Sequence, residues 1–326
     1  MTDLTPSAPR RERALKVGVF LPVVERQMDG GSARGRDVLD MARAAEAVGF
    51  DSVWIPDHLL FRHAGEVAQG AWECWTLLGA LAAATSRVEI GPLVTCTAWR
   101  NPALIAKMAD TVDELSDGRL VLGLGAGWHE PEFMAFGVPF DKVVGRFEDA
   151  LAIILPLLRE GRVDHEGPYY AARKCELLPR GPRTGRGGPP ILIGALGTGP
   201  RMLRLMARHA DLWNAWLTWG QSDPTAIPPL RDLVDGACRE VGRDPASLGR
   251  TVAVLVEVPG QSARLVRTSP TGGGEPLGGS PEQVAEALRG FAREGIGHVQ
   301  CILAPNSRAG IEAMAPVLEI LDRDGV

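Results

Sequence analysis

The feature that most limits how this chain can fold is a regular alternation of short apolar runs with amphipathic segments. Eight apolar runs have the length of buried strands, and each is followed by apolar residues at helical spacing. The predicted strands cover 15–21, 52–55, 88–95, 120–124, 191–193, 211–216, 251–258 and 298–303, and the predicted helices 36–48, 72–84, 102–115, 145–158, 201–209, 229–241, 281–294 and 311–321. Such alternation predicts parallel strands joined by crossover helices.

Eight strand–helix units favour one closed (β/α)8 TIM barrel of the α/β class over an open doubly wound sheet. The glycine-rich GLGAGW follows the fourth predicted strand, whereas a dinucleotide-binding sheet has its glycines after the first. We therefore predict a flexible leader at 1–14 and one barrel domain at 15–326. Two irregular insertions, a hairpin-like excursion at 161–188 and a glycine-rich loop at 259–279, are candidate lids at the carboxyl ends of the strands.

Residues 119–132, RLVLGLGAGWHEPE, predict a buried strand, a glycine gap and the start of a helix. Gly123, Gly125 and Gly127 leave no side chain between the backbone and its neighbours. Either a flat ligand approaches this strand, or the glycines only allow neighbouring elements to pack closely. The sequence leaves both interpretations open.

Composition excludes several function classes. The net charge of −5 argues against a nucleic-acid partner, which would require a concentrated basic surface. No apolar run reaches the length of a membrane span, so a cytoplasmic protein is expected. The 5 cysteines are far apart and never spaced as CxxC, so neither a disulfide framework nor a metal site is predicted.

Polar and aromatic residues follow the predicted strands at their carboxyl ends, where barrel enzymes place their active sites. Six tryptophans belong to these strands or to the loops after them: Trp54, Trp99, Trp128, Trp213, Trp216 and Trp219. A mouth lined in this way suits a flat aromatic ligand, because large rings bury much area at small entropic cost. Tryptophan is also ordinary core filling, and about half of the six are expected to be only that.

A series of motifs then carries a family resemblance. WIPDH at 54–58, GPLVT at 91–95, RNPAL at 100–104, SDGRL at 116–120, GLGAGW at 123–128, PILIG at 190–194 and ADLWN at 210–214 occur in order along the chain. Together they resemble the bacterial luciferase-like superfamily of flavin-dependent monooxygenases and deazaflavin-dependent oxidoreductases. The resemblance implies a barrel, a reduced flavin (FMN, or its deazaflavin analogue F420) at the strand ends, and a homodimer.

The resemblance also implies catalytic residues. His58 matches the position at which the family places a histidine over the reactive face of the ring, and an imidazole suits proton transfer near neutral pH. Asp57 would orient His58 or bond the edge of the ring. His129, with Glu130 and Glu132, is a further acid–base candidate, although a solvated helix start explains these three equally well.

Two backbone segments are expected to hold the ring. By resemblance, the ring rests on a bulge in the third strand, often with a non-prolyl cis peptide, and approaches the fourth strand. The matching residues are Val94, Thr95 and Cys96, followed by Gly125, Ala126, Gly127 and Trp128. Trp128 departs from the family's pattern, because some deazaflavin-dependent dehydrogenases carry a glutamate acid there and tryptophan cannot transfer a proton.

A phosphate site is expected after the fifth strand. Glycine-rich backbone amides at a helix N-terminus bind anions, and the resemblance places the cofactor phosphate here as well. The candidate residues are Gly194, Ala195, Gly197, Thr198 and Arg201.

Three functions remain open on sequence. The first is a monooxygenase that uses reduced FMN, supplied by a separate flavin reductase, and O2 on a small organic substrate. The second is a hydride-transferring oxidoreductase that uses coenzyme F420. The third is a catalytically silent family member that binds a flavin or a partner.

Overall fold

The computed structural model describes residues 13–28, 31–194, 199–218, 220, 222–261 and 275–323. Within them the predicted α/β barrel is confirmed. Its eight strands are β1 (Lys16–Phe20), β2 (Ser52–Ile55), β3 (Glu89–Pro92 continued by Thr95–Cys96), β4 (Leu122–Gly125), β5 (Ile191–Gly194), β6 (Leu212–Trp216), β7 (Gly249–Glu257) and β8 (His298–Ala304). The buried Arg13 donates to Gly49 O and Asp51, so this residue of the predicted leader is packed on the barrel.

Every pairing between neighbouring barrel strands is parallel. β1 pairs with β2 and with β8, and the ring continues through β7, β6, β5 and β4. β3 closes it, because its first piece pairs with β2 while its second piece pairs with β4. A parallel bridge between Ile90 and Leu120 adds to the closure. The carboxyl ends of all eight strands therefore open on one mouth.

The helices lie close to their predicted positions. They are α1 (Gly35–Val48), α2 (Cys74–Ala84), α3 (Pro102–Leu115), α4 (Glu130–Ala135), α5 (Val143–Glu160), α6 (Pro200–His209), α7 (Ile227–Glu240), α8 (Pro281–Arg293), α9 (Arg308–Ala313) and α10 (Ala315–Arg323). The single helix predicted at 311–321 is two helices. No helix among the described residues is long and apolar enough to cross a membrane.

Trp54 fills the barrel interior beneath the mouth. Its side chain is fully buried, and a Cβ atom on Gly18 or Gly91 would lie 2.7 or 2.6 Å from the indole. The indole Nε1 donates to Ser52 Oγ, which also lies 2.7 Å from His298 Nε2. Side chains therefore fill the barrel interior, and ligands have access only to the space at the carboxyl ends of the strands.

The hairpin predicted within 161–188 is confirmed as an antiparallel pair, Arg162–Glu166 with Ala171–Glu176. It leaves the C-terminal end of α5, which lies at the amino ends of the strands. Its tip returns along α5, where Asp149 accepts the backbone N–H groups of Tyr169 and Tyr170 at 2.8 Å. The second predicted lid falls largely on 262–274, outside the described residues.

Candidate active site

A cavity of about 410 Å³ opens at the carboxyl ends of the strands. Residues at the ends of all eight strands contribute to its lining, together with the start of α5 and α6. Most of the lining side chains are aliphatic or aromatic. The cavity has the size and character of a small-molecule site.

The floor of the cavity contains the expected non-prolyl cis peptide, between Leu93 and Val94. It lies between the two pieces of β3. The Val94 side chain lines the cavity and packs against β4, where a Cβ on Gly125 would lie 2.6 Å from Val94 Cγ2. Thr95 is fully buried beside β4, and Cys96 lines the cavity with a thiol whose pKa burial raises far above its usual range.

The glycines of β4 and of the segment directly after it allow close packing. A Cβ on Gly123 would lie 2.1 Å from the carbonyl oxygen of Pro92, and one on Gly127 would lie 2.5 Å from Phe133. Gly127 also has φ +82°, which disfavours any other residue. Of the two interpretations left open by the sequence, close packing accounts for these glycines. Gly125, Ala126 and Gly127 nevertheless present their backbone to the cavity.

Asp57 is fully buried and joins β2 to the segment after β3. Its oxygens accept from Arg100 Nη1 and Nη2 at 2.7 and 2.9 Å, and its Oδ2 accepts from the Cys96 N–H at 3.0 Å. Burial raises the pKa of the Asp57 carboxyl, and the Arg100 guanidinium opposes this rise. All of its side-chain hydrogen bonds among the described residues go to these groups, so Asp57 does not orient His58.

His58 is oriented by Glu132. The Nδ1 atom of His58 lies 3.0 Å from Glu132 Oε2, and the Glu132 side chain is only 1% exposed. Glu132 Oε1 also accepts the backbone N–H groups of Leu59 and Leu60. Because a carboxylate only accepts hydrogen bonds, Nδ1 donates to it and Nε2 is the nitrogen left for a ligand.

Aromatic rings surround His58. Its ring centroid lies 4.2 Å from Phe61, 5.7 Å from Trp128 and 6.1 Å from Trp99. Of the six tryptophans in the barrel strands and the loops after them, of which about half were expected to be core filling, Trp99, Trp128 and Trp216 line the cavity. Trp54 and Trp213 are buried in the packed interior of the protein, and Trp219 lies outside the described residues.

His129 lies apart from the cavity lining. It is 5% exposed, and its Nε2 accepts the Arg62 N–H at 3.0 Å, which fixes the loop after β2. Burial lowers the pKa of its imidazole. Because Nε2 accepts this hydrogen bond, it carries no proton that it could give to a ligand. Glu130 is exposed at the start of α4.

The expected phosphate loop is described only at its two ends. Ala195, Gly197 and Thr198 fall on the residues left undescribed, while Gly194 and Gly199 line the cavity. Gly199 is also the N-cap of α6.

Arg201, the remaining phosphate candidate, is 57% exposed in its side chain. Its Nε donates to Glu148 Oε2 at 2.9 Å. A phosphate would have to compete with this ion pair.

Two functional contacts were not identified from the sequence alone. The pairing of Glu132 with His58 links residues 74 positions apart, and that of Arg100 with Asp57 links residues 43 apart. Only the presence of an acid in the first turn of α4 indicated Glu132 as a candidate. Among the described residues, no group of three or more His, Cys, Asp or Glu side chains is arranged to hold a metal ion.

Comparison with known proteins gives a family match and several relatives. Residues 15–269 match the family model described as luciferase-like monooxygenase. The chain is 36% identical over 224 residues to a protein of Mycobacterium sp. (strain JLS) named phthiodiolone/phenolphthiodiolone dimycocerosates ketoreductase, covering 63% of this chain and 57% of that one. It is 32% identical over 180 residues to the pyrimidine monooxygenase RutA of Cronobacter sakazakii, covering 54% and 51%. The chain thus spans little more than half the length of these relatives.

Solved structures share the fold. An F420-dependent secondary alcohol dehydrogenase in complex with an F420–acetone adduct aligns with a TM-score of 0.75 at 19% identity, over 94% of this chain and 99% of that one. A riboflavin lyase aligns with a TM-score of 0.76 at 16% identity, over 96% and 92%. At these identities the likeness shows the barrel alone.

Proposed function

The chain belongs to the luciferase-like monooxygenase family, and on this premise we propose that it is a monooxygenase that uses reduced FMN and O2 on a small organic substrate. The observation that carries the proposal is His58, held by the buried Glu132 at the rim of an apolar cavity. A positioned imidazole beside an apolar cavity can hold or deliver a proton next to a reacting ring.

The cavity residues fit a flavin ring. Val94 and the backbone of Gly125, Ala126 and Gly127 offer a surface without charge, and aromatic side chains stand beside it. The indole Nε1 of Trp99 is buried without a hydrogen-bond partner among the described residues, so this N–H group remains as a donor for a ligand. The phosphate would lie toward Gly194 and the N-terminus of α6.

A bound reduced flavin supplies the two electrons of the reaction. The protein's own part is to position and to protonate. His58 Nε2 is the atom that exchanges a proton, because Nδ1 is held by Glu132. Asp57 and Arg100 fix the backbone N–H of Cys96 and with it the floor on which the ring would rest.

A second candidate is hydride transfer with coenzyme F420. It is supported by the relatives at 35% and 36% identity that are named ketoreductases, since reduction of a ketone is a hydride transfer. Either activity would obtain its reduced cofactor elsewhere, in the first case from a separate flavin reductase. A homodimer in the cytoplasm is part of the proposal. The complete His58–Glu132 pair argues against a catalytically silent protein.

Labelled oxygen separates the two candidates. With reduced FMN and ¹⁸O2, a monooxygenase places one labelled atom in the product and the other in water. An F420-dependent enzyme instead oxidises reduced F420 without oxygen while it reduces the substrate. Product that forms in the absence of O2, or product that carries no label when ¹⁸O2 is present, would overturn the monooxygenase proposal in favour of the second candidate.

A variant of His58 tests its role. His58→Ala should lower turnover by about two to four powers of ten while it leaves flavin affinity nearly unchanged. His63→Ala is the matched control, because the His63 ring lies 5.2 Å from His129 and does not line the cavity. Normal turnover of His58→Ala would remove His58 from the mechanism.

A further inference from the structure

The cavity has a second wall, across the mouth from the ring-binding floor. The circular strand order places β7, β8 and β1 opposite β3, β4 and β5. The lining from β7, β8 and β1 is apolar, with Phe20, Leu255 and Ile302 among its residues. This wall has no part in the roles assigned above to the cofactor or to His58.

The described lining contains no unpaired charge. It includes no lysine or arginine, and its two carboxylates are Asp57 and Glu132. Both are already engaged, with Arg100 and with His58 respectively. Because burial of an uncompensated charge is expensive, this wall selects against charged ligands.

A hydrogen-bond acceptor faces the cavity at Asn214 of β6. Asn214 is 3% exposed, and its Nδ2 donates to Thr251 Oγ1 at 2.8 Å and to Gln300 Oε1 at 3.0 Å. These two bonds fix the amide. The Oδ1 end is what remains for a ligand, since Asn214 lines the cavity.

A second acceptor lies just beyond β8. Asn306 lines the cavity, is 8% exposed, and its buried Oδ1 accepts no hydrogen bond from the described residues. An unsatisfied buried acceptor carries a desolvation cost, which a donor from a ligand would relieve. Both acceptors therefore favour a ligand that supplies O–H or N–H groups.

We propose that the wall formed by β7, β8 and β1, with Asn214 and Asn306, is the substrate subsite. Its substrate is a neutral, largely apolar molecule that carries an O–H or N–H donor. This inference rests on the proposed function for what happens to the substrate, but the binding it predicts is measurable without turnover.

Three probes with one skeleton test the subsite: 4-phenylbutan-2-ol, 4-phenylbutan-2-one and 4-phenylbutanoate. Only the first is a neutral donor. Dissociation constants are measured by calorimetry on the protein without flavin, so that no probe can be turned over. The alcohol should bind roughly threefold to tenfold more tightly than the ketone, and the carboxylate most weakly.

Leucine variants identify which asparagine accepts the hydrogen bond from the alcohol probe. Asn214→Leu and Asn306→Leu should each reduce the preference for alcohol over ketone, while Gln261→Leu, which removes an amide outside the lining, should keep it. If Asn214→Leu fails to fold, Asn306→Leu decides.

Equal binding of alcohol and ketone to the wild type, tight binding of the carboxylate, or an unchanged preference in the folded variants would overturn the subsite. FMN binding in the same series reports separately on the proposed function.

Discussion

Glu132→Gln is the substitution that tests how the site is built. The Glu132 carboxylate accepts from Leu59 N–H, from Leu60 N–H and from His58 Nδ1, and it is 1% exposed. Glutamine keeps the volume but has one acceptor oxygen, so an amide N–H must face one of these donors. Loss of one hydrogen bond to a charged group lowers the free energy of unfolding by about 1.5–3 kcal/mol.

The larger effect is expected on turnover. Without the carboxylate on Nδ1, His58 loses its fixed tautomer and orientation, and misplacement of a reacting group by about 1 Å costs on the order of 100-fold in rate. We expect Glu132→Gln to lower kcat about 10- to 100-fold with little change in cofactor affinity. Urea unfolding and steady-state kinetics measure the two effects separately.

Glu130→Gln is the matched control, since Glu130 is exposed on the same helix. The decisive variant is the double substitution, His58→Ala with Glu132→Gln. If Glu132 acts through His58, the double variant has the turnover of His58→Ala alone. A kcat of Glu132→Gln within twofold of wild type, or a multiplicative loss in the double variant, would refute this reasoning.

Three other substitutions report on separate parts of the account. Arg201→Ala should weaken FMN about 10- to 100-fold by loss of a charge-assisted contact, but leave riboflavin unchanged; an equal loss for riboflavin would make Arg201 structural. Burial lowers the pKa of His298 to about 3, so its contribution to stability is present above pH 6.5 and lost as pH falls toward 3. Relative to His298→Gln, the wild type should lose about 2 kcal/mol of unfolding free energy between pH 7 and pH 5 in urea titrations, and parallel pH curves would contradict this. Asp57→Asn should lower the free energy of unfolding by roughly 3 kcal/mol, because it breaks the buried ion pair with Arg100. A decrease below about 1 kcal/mol would show that the ion pair is dispensable.

The barrel was predictable from sequence because its signals are local. The apolar run of β2 and the helical spacing of the apolar residues in α3 predicted both elements with the observed bounds, Ser52–Ile55 and Pro102–Leu115. Asn101 caps α3 by accepting from Ala103 N–H at 2.9 Å. Where a signal was continuous, as at 311–321, the break at Met314 could not be foreseen.

The site was predictable only in part because its contacts are not local. The family resemblance, together with its position after β2, singled out His58, but the partner of its Nδ1 is 74 residues away on α4. Asp57 was likewise expected to orient His58 or to bond the edge of the ring. Its carboxylate instead accepts from the Arg100 guanidinium, 43 residues away. The hairpin was predicted within 161–188, but the sequence did not show that its tip packs along α5, where Asp149 accepts the backbone N–H groups of Tyr169 and Tyr170.

We propose that the cavity above Val94 and β4 holds a reduced flavin. Anaerobic titration of the protein with reduced FMN and with reduced F420, in wild type and in Ala126→Trp, tests it most directly. Ala126 lines the cavity, so an indole there would occupy the space of the ring, whereas Ala83→Trp on the exposed face of α2 is the control. The wild type should bind one of the two cofactors with micromolar or tighter affinity. Ala126→Trp should lower this affinity at least about tenfold, whereas Ala83→Trp should leave it unchanged. Binding of neither cofactor to the wild type, or equal binding by Ala126→Trp, would contradict it.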